Sequence, residues 1–153
     1  MFKKLLNKKL LKNQKGLTLI ELLAVIVILA IIAAIAIPAI GNIISNSKDK
    51  AILSDAAGVL AGAKIAIADG ACGDTRQDTV TCDYNALKDV FEGELDKNDT
   101  VMYSKGNKEY KITYLRLSEI KNKEKFTVKE GDITYTGGDK TITDKALNRA
   151  MNK

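Results

Sequence analysis

The chain has no histidine and no tryptophan, one proline, and two cysteines in 153 residues. Without histidine there can be no imidazole triad, imidazole metal ligand or imidazole proton shuttle, which excludes most hydrolase and metalloenzyme schemes. One proline excludes collagen-like, proline-rich and mucin-like classes. Two cysteines are too few for a disulfide scaffold or a four-cysteine zinc site. No nucleophile–base pair or phosphate loop is recognisable, and Gly137-Gly138-Asp139 reads as a turn. The expectation is a non-enzyme with no catalytic residue, no cofactor and no metal site. The length suits one ordinary domain.

Acid is also missing from the start of the chain. Met1–Gly16 holds Lys3, Lys4, Lys8, Lys9, Lys12 and Lys15 and no Asp or Glu. Without those six, 18 basic residues face 19 acidic ones, so the formal charge of +5 belongs to this segment. Global charge therefore gives no support for nucleic-acid binding by the subunit alone.

A long apolar run follows. From Leu22 to Ser47 there is no charged side chain. About 20 apolar residues in a helix span the ~30 Å hydrocarbon layer of a bilayer. Lysines stay on the cytoplasmic side, so the N-terminus is expected inside and the rest outside. A cleaved secretory signal is the plainer alternative, but the run is long and continues into helix-compatible sequence.

Glu21 is the anomaly. A carboxylate within such a helix costs on the order of 3 kcal/mol on insertion scales. It sits at the headgroup edge, six residues beyond Lys15, or is neutral, or has a cationic partner. No side chain in the run supplies one. A cut after Gly16 would create an ammonium on Leu17, one helical turn before Glu21. Pro38 removes a backbone donor and clashes with the preceding turn, and Gly41 weakens the helix further. A weak zone is expected between Ala30 and Gly41; the alternative is a plain bent helix.

The stretch Lys15-Gly16-Leu17-Thr18-Leu19-Ile20-Glu21, followed by a long apolar helix containing Pro38, resembles the prepilin signature of type IV pilins and of the related type II secretion pseudopilins. Leu17 stands where the family most often has phenylalanine, and a second helix proline is absent. The resemblance implies a life cycle. A prepilin peptidase cleaves between Gly16 and Leu17 and N-methylates Leu17. The subunit waits in the cytoplasmic membrane, is drawn from the bilayer by an inner-membrane assembly platform, and joins a homo-oligomeric helical filament at the cell surface. Glu21 then faces the Leu17 amine of a neighbour and sets axial register. The helix near Pro38 and Gly41 can melt in such a filament.

Beyond Asn42 the pattern turns amphipathic. Ala51, Ile52, Ala56, Val59, Leu60, Ala63 and Ile67 recur at spacings of three and four among Lys48, Asp49, Lys50 and Asp55. A helix from Leu17 to about Ala68 is roughly 78 Å long. Asp69-Gly70 ends it. Cys72 and Cys82 bracket a polar loop, and in an exported domain one disulfide is expected, against an alternative of two free thiols. Asp69, Asp74, Asp78 and Asp83 follow no calcium ladder and read better as solvated carboxylates than as ligands.

Asp83 is placed to cap a short helix over 84–91. Val101–Ser104 and Glu109–Leu117 flank one hairpin turn, Lys105–Lys108; Lys125–Lys129 and Asp132–Thr136 flank another at Glu130-Gly131. Thr143 or Asp144 is placed to cap a last helix. Asn98-Asp99-Thr100 fits a glycosylation sequon. The expected division is a basic leader over 1–16, an apolar helix over 17–44, its amphipathic continuation over 45–68, and a head over 69–153. Within the head lie a loop at 69–83, strands within 101–136 and a helix at 144–151. The fold class is α+β: a pilin fold with a long N-terminal helix and about four mostly antiparallel strands. The functional expectation is a pilus subunit. The alternatives are a pseudopilin and a membrane-anchored binding domain that never polymerises.

Overall fold

The computed structural model describes residues 18–74, 76–131 and 133–153. The chain is α+β: a long N-terminal helix packed against a small antiparallel four-stranded sheet. Helix α1 spans Leu19–Ala68 and contains Pro38. The chain divides into two compact units, up to Gly41 and from Asn42 onward. The break falls three residues before the end expected for the apolar helix.

In the second unit α1 buries Ile52, Leu53, Ala56, Val59, Leu60, Ala63 and Ala66. These lie on one stripe, as a helix with 3.6 residues per turn requires. Leu53 belongs to the stripe, whereas Ala51 is exposed. The stripe is rich in small residues, and Cys82 Sγ comes within 3.8 Å of the Ala63 carbonyl oxygen.

The sheet contains β1 (Thr79–Cys82), β2 (Thr100–Ser104), β3 (Glu109–Thr113) and, after four intervening elements, β6 (Thr141–Thr143). Its order is β1-β2-β3-β6, and every neighbouring pair is antiparallel. The register aligns Cys82, Val101, Ile112 and Ile142 across all four strands. All four are buried in the same core as the α1 stripe. Because side chains alternate faces along a strand, a one-residue slip anywhere in the row would turn an apolar side chain to water.

Several local expectations require correction. Strands are not confined to 101–136. Thr79–Cys82, within the expected loop over 69–83, is the edge strand β1, and its Val80 and Cys82 point inward. The Asp- and Gly-rich flanks hid this short alternation. The strand expected over 109–117 stops at Thr113, where a 3-10 turn over Leu115–Glu119 begins. The helix over 84–91 is the single turn α2, Tyr84–Leu87, with Asp83 capping it by accepting from Ala86 N–H at 3.1 Å. Lys125–Lys129 is not one strand. Lys123–Phe126 forms a helical turn, α3, which buries Phe126. Only Val128–Glu130 (β4) then pairs with Ile133–Tyr135 (β5), forming a separate two-stranded ribbon. Gly137 lies against this turn, where a Cβ would collide with the Lys123 carbonyl oxygen. The fourth strand of the main sheet is β6, which runs directly into the last helix, α4 (Asp144–Met151). Thr143 caps that helix by accepting from Ala146 N–H at 3.3 Å.

Cys72 and Cys82 are joined in a disulfide, and both are buried. It fastens the chain leaving α1 to the edge strand β1.

Candidate functional site

The residues singled out at the N-terminus lie on α1 or just before it. Gly16 and Leu17 fall outside the described residues. Thr18 caps the helix: its hydroxyl oxygen accepts from Glu21 N–H at 3.3 Å, and its carbonyl accepts from Leu22 N–H at 3.1 Å. Thr18-Leu19-Ile20-Glu21 thus has the spacing of a capping box. Glu21 lies in the first turn and is exposed. A carboxylate there gains about 0.3–1 kcal/mol from the helix dipole. That is well below the ~3 kcal/mol cost of placing it in an apolar layer. Capping alone therefore does not account for Glu21 if this segment enters lipid.

Sixteen large apolar side chains between Leu19 and Ile44 are exposed, and Ile35, midway along, is 70% exposed. The helix is long and apolar enough to cross a membrane. Burying one such side chain is worth about 1.5–3 kcal/mol. A run of sixteen is far larger than the scattered surface Leu or Ile of an ordinary domain. Pro38 and Gly41 are exposed within the same run, and helical backbone continues on both sides of them. A Cβ on Gly41 would meet nothing within 4 Å, so close packing inside the subunit is not what requires glycine there.

In the head, the loop carboxylates make local backbone contacts. Asp74 accepts from Arg76 N–H at 2.9 Å, and Asp83 caps α2. Among the described residues no group of three or more His, Cys, Asp or Glu side chains is arranged to hold a metal ion.

Two carboxylates that sequence reasoning passed over are buried. Asp49, on α1, accepts from Lys121 N–H at 3.0 Å and Asn122 N–H at 2.8 Å. Beside it, the Asn122 amide donates to the Asn46 side-chain oxygen at 2.9 Å. Asp99 accepts from Asp96 N–H and Leu115 N–H, each at 2.7 Å. The signal for Asp49 was available: it lies three and seven residues before Ile52 and Ala56, so this acid sits on the apolar stripe. Arg116 joins the same region to α1, 3.1 Å from Asp55, with Glu119 at 3.7 Å and Glu94 at 3.8 Å. The Tyr114 hydroxyl donates to the Glu94 carbonyl at 3.0 Å. Burial pushes the Tyr114 phenol up, against a lowering pull from Arg116.

The family described as the prokaryotic N-terminal methylation motif matches residues 11–37, a span containing Gly16, Leu17, Glu21 and most of the exposed run. No curated protein and no solved structure matches the chain. The chain carries the prepilin leader signature of type IV pilins and pseudopilins, followed by a long apolar helix.

Proposed function

We propose that this protein is the structural subunit of a type IV pilus. The prepilin peptidase cuts between Gly16 and Leu17 and methylates the new amine, which keeps its positive charge. Until assembly the apolar part of α1 rests in the cytoplasmic membrane, with the head outside. Assembly transfers that part from lipid to the matching helices of other subunits in a surface filament.

The observation that carries this reading is one carboxylate, Glu21, within a matched methylation motif and at the head of an uncharged run extending to Ser47. Leu, Ile, Val and Ala side chains alone give a seam that slides. An ion pair in that seam adds little net stability, but leaving one partner buried and unpaired costs several kcal/mol. Glu21 opposite a neighbour's Leu17 amine therefore selects one docking height. Pro38 and Gly41 provide a segment where the helix opens at low cost as the subunit fits the filament.

Mass spectrometry of shed surface material tests the proposal. The expected mature chain begins at N-methyl-Leu17 and is recovered from long sheared fibres. A mature chain that retains Met1–Gly16 removes the proposal. Correct processing with no fibre, in a cell that has a type II secretion machine, moves the assignment to a pseudopilin.

A further inference from the structure

The Asn42–Lys153 unit carries a basic cleft where the uncharged run ends. A cavity of about 410 Å³ is lined by Lys48, Asp49, Arg116, Glu119 and Lys121, with Ile52 at its wall. The acids in it are already engaged. Both Asp49 oxygens accept backbone N–H groups of the 121–122 loop, and Glu119 lies 3.7 Å from Arg116. Lys48 and Lys121 are exposed, and among the described residues neither is in an ion pair.

The position of this cleft along the helix is fixed by hydrogen bonds. Asn122 is tied to Asn46, and Asp49 to Lys121 and Asn122, so the loop lies beside residues 46–49. Ser47 is the last residue of the uncharged run, and Ile43 and Ile44, one turn earlier, are exposed. Exposed apolar side chains therefore meet Lys48 and Lys121, neither in an ion pair among the described residues, within about one helical turn.

We propose that this cleft binds the anionic phosphodiester headgroups of phospholipids in the outer leaflet of the membrane that holds the subunit before assembly. The inference rests on the membrane-spanning reading of α1. Lysines at an anionic surface each strengthen attachment about fivefold. The loop held by Asp49 brings Lys121 beside the Lys48 that the helix itself provides. The cleft thereby sets how far the helix sinks and keeps the head against the bilayer.

The test uses the full chain in nanodiscs of phosphatidylcholine alone or with added phosphatidylglycerol, read by amide hydrogen exchange. The Met1–Gly16 lysines do not confuse this measurement, because it is read at residues 119–125. The expected result is exchange at 119–125 slowed about fivefold or more by phosphatidylglycerol at low salt, and released near 1 M salt, where screening acts within ~3 Å. The double variant Lys48→Gln/Lys121→Gln should lose this slowing while exchange in β2 and β3 stays unchanged. Equal exchange in both lipids, or slowing that survives in the double variant, overturns the inference and leaves the filament reading standing. A full chain that does not enter the nanodiscs at all overturns both.

Discussion

Asp49 accepts the Asn122 backbone N–H at 2.8 Å, and the Asn122 side chain donates to Asn46 one turn earlier on the same helix. This joins residues more than seventy positions apart at the point where the core stripe of α1 begins. Asp49→Ala would leave the Lys121 and Asn122 N–H groups without their acceptor. Unsatisfied buried donors cost about 1–3 kcal/mol each. The expected loss is about 3 kcal/mol in urea unfolding of the detergent-solubilised chain, with a smaller loss for Asp49→Asn, which keeps one oxygen. A midpoint unchanged in Asp49→Ala would show that the tether contributes nothing.

The disulfide between Cys72 and Cys82 closes a short loop, with a sequence separation of 10. The chain-entropy account assigns about 2–3 kcal/mol to such a closure. The paired replacement Cys72→Ser/Cys82→Ser should lower stability by about that amount and also place two hydroxyls in the core. Non-reducing peptide mapping should show the 72–82 link in native material. Two free thiols there would contradict the structure.

Tyr135 is 3% exposed, and burial pushes its phenol up to about 12. Below about pH 10 the phenol is neutral in both the folded and the unfolded chain, and its contribution is fully present. Between about 10 and 12 the unfolded chain ionises first, so stability falls as pH rises, by up to about 1.4 kcal/mol per unit for this group. Tyr114 and Tyr110 are raised in the same direction, chiefly by burial. Melting temperatures from pH 8 to 11 should decline, and more gently in Tyr135→Phe. A decline equally steep in that variant would assign the alkaline loss to other groups.

Glu21→Leu bears on assembly. It removes the one carboxylate from the apolar run, so insertion should be unimpaired. If Glu21 sets the register as proposed, filament yield should fall at least tenfold. Immunoblots of sheared and membrane fractions measure the two separately. Filaments at wild-type abundance from Glu21→Leu would defeat the register argument.

The sequence was most legible where periodicity was long. The apolar run needs only its length, and the stripe from Ile52 to Ala63 needs only the helical repeat. The Val101–Ser104 and Glu109–Thr113 hairpin followed from alternation around Lys105–Lys108. Short elements were harder. Thr79–Cys82 and Thr141–Thr143 gain their strand character from pairing with β2 and β3, which a local window does not contain. Lys125–Lys129 alternates like a strand, yet Lys123–Phe126 coils so that Phe126 reaches the core. Asp49 stands between Lys48 and Lys50, so its charge suggests water although its position falls on the stripe.

The buried stripe of α1 also determines how the head could be prepared apart from lipid. Its first anchoring groups are Asn46 and Asp49, and its last core residue is Ala66. A truncated version starting a few residues before Asn46 would retain every tether and the whole packed stripe while discarding the greasy stretch. One starting at Ala56 would forfeit Asp49, Ile52 and Leu53 together. The border between dispensable and indispensable helix therefore lies near Asn46, about ten residues closer to the amino end than a cut placed at the middle of the amphipathic part.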